Sequence, residues 1–359
     1  MTRPLVVHAP TLTAAIGAAA CAAALLLALA DPARALRGWL AAAFLWSALP
    51  IGALCLLMMM RLIPGRWSEE LTPASETAVL LLPIAALALL PVLCGIHPLY
   101  AWASESLDGA FRSLYLSPWF FVTRTVVFFA VAIVLAGLLH LRPTWSTPVS
   151  CIGLVFFAVA GTSVSVDWLM SLEPEFHSSG FGLYALAIQV DTALALLVLA
   201  TLAARPHLDR PGVLGGLLLA GLLLWAYFAF MPYFIIWSGN LPPSVRWYLN
   251  RSGAVWGTLF AVVATLRLGT AALLLFKPVR QGRRWLAALC ALQVVASAIE
   301  AAWLVLPAGG EEAGAVGIAA WLLSAGGLGC LSGAAMVVAG RARIRRASVR
   351  RHGRLRHEP

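Results

Sequence analysis

Ten separate stretches of about twenty predominantly apolar residues leave this chain little freedom in how it can fold. They lie near 12–30, 39–60, 77–96, 118–139, 149–170, 180–203, 212–237, 252–276, 285–306 and 316–339. Each is long enough to cross a hydrocarbon layer of about 30 Å as an α-helix. Inside such a layer the backbone must satisfy its own hydrogen bonds, which excludes lipid-exposed loops and open strand edges. With 61% hydrophobic and only 11% charged residues among 359, no soluble domain accounts for so much apolar surface. The prediction is an all-α polytopic membrane protein of about ten transmembrane helices. It has a single transmembrane helical domain over 1–340 and a basic tail over 341–359. The first stretch lacks a clear cleavage site and is read as a retained helix, not a signal peptide.

The net charge of +10 is distributed along the spans in a way that explains it without nucleic acid. An even number of spans puts both termini on one side. That side collects Arg3, Arg61, Arg66, Arg142, Arg205, Arg210, Lys277, Arg280, Arg283, Arg284 and the tail "RARIRRASVRRHGRLRHEP"; the other side holds Arg34, Arg37, Arg112, Arg246 and Arg251. Basic loops stay in the cytoplasm, so both termini are predicted there. The tail reads as a topology signal and a contact for lipid headgroups.

Cofactor ligands are scarce. The six cysteines fall within or at the ends of apolar runs and form no CxxC pair, so they are expected to be small core residues. All seven histidines lie at span ends, in loops or in tails, which leaves a membrane-embedded haem without ligands. No phosphate-binding loop, zinc-protease or nucleophile-elbow motif is present. No catalytic residue, no metal site and no cofactor bound by this chain itself is predicted.

The informative residues are the charges inside the spans: Arg124, Asp167, Asp191, Arg267 and Glu300. Each costs about 2.5–3.5 kcal/mol at mid-helix on insertion scales, so each needs a reason. At about 1.5 Å per residue, Arg124 and Glu300 lie about 9 Å and Asp191 about 16 Å from the non-cytoplasmic end. Asp167 sits near that end and Arg267 in the inner half. Two arrangements account for them. One is a structural ion pair, Arg124 with Asp167, that locks helix packing. The other is a proton path open to the outside, with Asp191 innermost and Glu300, Asp167, Glu173 and His177 as further stations, since buried carboxyl groups hold protons at neutral pH. Asp191 and Glu300 have no evident basic neighbour at their depth. Two aromatic loops, 97–117 and 238–251, are predicted to lie against the headgroups on the same face.

Three blocks in order resemble the ActF-type integral membrane subunit of alternative complex III, over about residues 95–255. "DWLMSLEPEFHSSGFGLY" is similar to that family's DWxMSLEPHWxSTxFGxY, with Glu175-Phe176 where the family shows His-Trp. "HPLYAWA" with "SLYLSPWFFVTRTVVFFA" and "FMPYFIIWSGNLPPSVRWYLNR" resemble its aromatic loops and its helix with a buried Arg. The matched positions include Tyr100, Trp102, Arg124, Asp167, Trp168, Glu173, Asn240 and Tyr248. The resemblance implies two four-helix bundles plus peripheral helices, related to NrfD-like membrane subunits. It also implies a non-catalytic subunit of a quinol-oxidising respiratory complex in a bacterial inner membrane. Such a subunit adds a proton path or shapes a quinone pocket. Haem and iron–sulfur clusters are then expected in partner subunits: a multihaem cytochrome, an iron–sulfur subunit and an NrfD-like membrane subunit. A secondary transporter, such as a proton-coupled permease, is the competing class. It requires matched interrupted helices, and Pro83, Pro91 and Pro232 form no such pair.

Overall fold

The computed structural model describes residues 5–104, 110–205, 211–239, 242–308 and 313–355. Asn240 of the resemblance and the last four tail residues lie outside them. The described residues form helices and turns, and ten helices are long and apolar enough to cross a membrane. In chain order they are α1 (Ala9–Leu29), α2 (Pro32–Leu62), α3 (Arg66–Cys94), α4 (Pro118–Leu141) and α5 (Pro143–Leu172). The second half contributes α6 (Phe181–Ala204), α7 (Pro211–Gly239), α8 (Ala254–Leu275), α9 (Arg283–Val305) and α10 (Gly314–Arg343). The chain is a multi-pass membrane protein.

Helix starts are written locally. Asp31 caps α2 by accepting a 3.0 Å hydrogen bond from the Arg34 amide, and Pro32 occupies the first helical position, where no N–H is needed. Gly314 opens α10 at φ +61°, a backbone state that glycine alone adopts without strain. Past the span, helical winding continues from α10 to Leu355, so the basic tail is an extension of that helix as far as it is described.

Packing divides the spans into two four-helix bundles. In the first, α2, α3, α4 and α5 pack in a closed ring; in the second, α6, α7, α8 and α9 do the same. The rings meet where α2 packs on α6 and α9, and α5 on α6. Both α1 and α10 stand at the periphery, α10 packing on α1 and on α2. Most of α2 is therefore buried, and its run Ala41–Ala43 is wholly so. Small residues allow this close approach, which replaces the hydrophobic effect as the adhesive between helices in lipid. Gly52 is one example: a Cβ there would come within 2.5 Å of Ala193 Cβ and 2.8 Å of the Gln189 carbonyl on α6. Outward-facing residues such as Ile152, Val155 and Val159 of α5 are two-thirds exposed, as a lipid-facing surface requires.

Three expectations need correction. The 97–117 loop does not merely lie on the surface: Tyr100 and Trp102 are buried against Phe121, and the Tyr100 hydroxyl donates to the Trp168 carbonyl at 3.0 Å. In the other aromatic loop, Trp247 and Arg251 are likewise tucked into the second bundle. Of the cysteines, Cys94 and Cys151 are exposed on the outer surfaces of α3 and α5, because a thiol is apolar enough to face lipid as well as core.

Candidate functional site

Asp191, Arg267 and Glu300 meet in one cluster inside the second bundle. Arg267 of α8 lies between the two acids. Its Nη1 donates to Asp191 Oδ2 at 2.6 Å, and its Nη2 lies 2.7 Å from Glu300 Oε2. That second contact is a close approach of charge without hydrogen-bond geometry, and Nη2 donates to Ser297 Oγ at 3.0 Å. Thr192 Oγ1 donates to the same Ser297 Oγ at 2.8 Å. The other oxygen of Glu300, Oε1, accepts from the Tyr184 hydroxyl and from Trp225 Nε1 at 2.9 Å. The Trp225 ring also faces the guanidinium, 4.7 Å from its centroid. None of the three charged side chains touches solvent appreciably.

This corrects the reading that Asp191 and Glu300 lack a basic neighbour. Counting residues from helix ends put Arg267 deeper than either acid, but a long side chain and unequal helix ends bring all three together. Two carboxyl groups share one guanidinium, so the cluster carries a net negative charge unless it holds a proton. A buried uncompensated charge is costly. The donors discriminate between the two acids. Glu300 has two hydrogen-bond donors on one oxygen and Arg267 against the other, whereas Asp191 Oδ1 has no hydrogen-bond partner and rests against Gly221.

Beside the cluster lies a cavity of about 610 Å³, walled by α6, α7, α8, α9 and the helix Pro242–Leu249. Its lining is chiefly aromatic: Phe176, Phe181, Tyr184, Trp225, Trp247, Phe260 and Trp303 among others. Phe230 and Tyr233 of α7 face Phe260 and Leu268 of α8 across the lining, and all four are exposed at the outer surface. The cavity therefore opens sideways between α7 and α8, toward lipid. None of Asp167, Asp191 and Glu300, the acids of the predicted proton path, lines this cavity. The wall contains Tyr184 and Trp225, and Glu300 stands one side chain behind them.

The aromatic end of this cavity is braced by a third ion pair that the sequence did not reveal. Arg251 Nη1 donates to Glu173 Oε1 at 2.6 Å and to the Trp247 carbonyl at 3.0 Å, and Nη2 donates to the Leu304 carbonyl at 2.9 Å. The guanidinium stacks 3.9 Å from the Trp247 ring centroid, and Asn250 also donates to Glu173 at 3.1 Å. Burial pulls the Arg251 guanidinium below its ordinary value, against the opposing attraction of Glu173. Glu173 thus ties the loop after α5 to the segment before α8. His177 is exposed, with Nδ1 2.9 Å from the Glu175 carbonyl, and touches neither acid cluster. It lines a separate hollow of about 300 Å³ with Tyr115, Met170 and Ser171, which Phe176 divides from the larger cavity.

In the first bundle, Arg124 and Asp167 form a two-pronged ion pair, Nε to Oδ2 at 2.6 Å and Nη2 to Oδ1 at 2.8 Å. Arg124 Nη2 also donates to the Tyr115 carbonyl at 2.9 Å, and the Tyr115 ring lies 4.0 Å from the guanidinium. The five sites of the predicted proton path therefore fall into separate groups: Asp191 with Glu300, Asp167 with Arg124, Glu173 with Arg251, and His177 by itself at the surface. Among the described residues no group of three or more His, Cys, Asp or Glu is placed to hold a metal ion. Compared with protein-family models and with curated proteins, this sequence matches none.

Proposed function

We propose that this chain is an integral membrane subunit of a quinol-oxidising respiratory complex of the alternative complex III type, and that its second bundle shapes a quinone pocket. One observation carries the reading: Tyr184 and Trp225 line a lipid-side aromatic cavity and both donate to Glu300 behind it. A cavity of this size suits a small amphipathic ring, and apolar walls with a few convergent polar groups are the usual form of such sites. Quinol oxidation releases protons together with electrons. A ring hydroxyl beside Tyr184 would have a route for its proton, through the phenol to Glu300. Electrons would leave to haem and iron–sulfur groups held by partner subunits. The basic end, with Arg61, Arg142, Arg205 and Arg283, would face the cytoplasm of a bacterial cell, with both termini on that side.

The test is to extract the membrane in mild detergent, isolate the full chain through an affinity tag, and assay the preparation for haem, iron–sulfur centres and extractable quinone. Co-purification of all three is expected. Tyr184→Phe should keep the assembly intact but lower quinol oxidation about 100-fold or more, the usual scale for a lost proton-transfer group. A solitary chain that carries a solute across vesicles would instead favour a proton-coupled permease.

A further inference from the structure

A second hollow, of about 300 Å³, opens at the basic end of the first bundle between α3 and the last turns of α4. It lies where α3 interrupts its α-helical winding at Val79–Leu81 and resumes with Pro83 in the first turn of the next segment. Gly137 contributes bare backbone on the α4 side: a Cβ there would meet nothing within 4 Å. Leu80 is 62% and Ile133 40% exposed, so the groove faces the lipid side of the molecule.

Its rim is charged. Arg61 Nη2 donates to Glu76 Oε1 at 2.9 Å. Arg343, from the far end of α10, donates to Glu76 Oε2 and, at 2.9 Å, to the Pro73 carbonyl. Two guanidiniums on one carboxylate leave positive charge in excess. Both remain more than a third exposed, and the exposed His140 stands on the same rim. An apolar groove capped by surplus cations at the end of the spans matches the chemistry of an anionic phospholipid, with its acyl chain in the groove and its phosphate at the cations.

We propose that this groove is a specific binding site for an anionic phospholipid, with the phosphate held by Arg61, Arg343 and His140 and an acyl chain running along Leu80, Pro83 and Gly137. A free phosphate would satisfy the cations but leave the apolar groove empty, so the lipid is the better fit. The site is independent of the quinol reading. By joining α2 and α10 at one headgroup, the lipid would fasten the peripheral helix to the first bundle.

The experiment uses the full-length chain, delipidated in detergent and mixed with equal amounts of phosphatidylglycerol and phosphatidylcholine, with retained lipid counted by native mass spectrometry. Severalfold preference for phosphatidylglycerol is expected. Gly137→Phe fills the groove at a position where added atoms meet open space, and should cut that retention severalfold without lowering the thermal midpoint of the lipid-free protein. Arg61→Gln combined with Arg343→Gln should abolish the preference. Equal retention of the two lipids, or full retention by Gly137→Phe, overturns the proposal. Displacement of phosphatidylglycerol by millimolar inorganic phosphate would also overturn it, in favour of a simple anion site.

Discussion

Arg267 Nη2 lies 2.7 Å from Glu300 Oε2, and neither side chain is exposed to solvent. The two residues sit on the third and fourth helices of the second bundle. Arg124 and Asp167 occupy the third and fourth helices of the first, and they too are paired, at 2.6 Å. Both bundles thus use an arginine–carboxylate ion pair across the same helix pair. They differ in what is added. In the second bundle a further acid, Asp191, enters from the first helix, and an aromatic cavity lies alongside.

Removing Arg267 should be the most damaging single change in the second bundle. Arg267→Met would leave Asp191 and Glu300 facing each other without a cation, and breaking a buried pair this way costs about 3–5 kcal/mol. The expected result is a large loss of folded protein by size-exclusion chromatography in detergent. Adding Asp191→Asn and Glu300→Gln to that variant removes the stranded charges and should restore most of the folded yield. A triple variant as poor as the single one would mean that hydrogen-bond geometry, not charge, holds the cluster.

The first-bundle pair should discriminate arginine from lysine. Asp167 receives two parallel donors from Arg124, a fork that an ammonium cannot reproduce. Arg124→Lys keeps the charge but loses one charge-assisted hydrogen bond, worth about 1.5–3 kcal/mol. A lower thermal midpoint is expected, with the α4–α5 contact loosened. An unchanged midpoint would show that charge alone suffices.

Ten apolar runs announced ten spans because length and hydropathy suffice to select a membrane-crossing helix, and the even count and the basic loops followed from the same pattern. Locating the buried charges was equally direct, since a charged residue is conspicuous in an apolar run. Partnership was harder to read. Arg267 lies on α8 and its two acids on α6 and α9, and only helix rotation and relative depth decide that they meet. Arg251 was hidden for a different reason: in a loop reading "VRWYLNR", a cation against the headgroups and one buried on Glu173 look alike. Tyr100 and Trp102 posed the same ambiguity. The cavity was not legible at all, because its lining comes from five separated segments whose aromatic residues also suit a lipid-facing surface.

The contact between the bundles should be sensitive at Gly52. A Cβ there would approach Ala193 and the Gln189 backbone on α6 more closely than atoms pack, so α2 and α6 would have to separate. Overpacking of this kind costs about 1–3 kcal/mol. Gly52→Ala should lower the thermal midpoint, and Gly52→Val should lower it further. Because α2 and α6 each lead a bundle, limited proteolysis of the Val variant should cut between residues 172 and 181 more readily than in the parent. If Gly52→Ala were neutral, the two bundles would have more freedom to separate than their packing indicates.

Tyr115, in the segment before α4, gives the clearest dependence on pH. Burial, reinforced by the negative charge of Asp167, pushes its phenol from 10.0 up to about 12, while Arg124 pulls the other way. In the unfolded chain the phenol loses its proton near its ordinary value of 10.0, and in the folded chain it keeps the proton until about 12. Between those values the unfolded state binds fewer protons, so stability must fall as pH rises; the contribution is fully present below the lower value. Tyr115→Phe removes this dependence. Its thermal midpoint should therefore decline less steeply than that of the parent across that alkaline window. Burial also shifts Tyr100 and Tyr248 upward, so both proteins retain some alkaline loss, and the difference between them isolates Tyr115. Parallel declines would place the Tyr115 phenol in open water, away from Asp167.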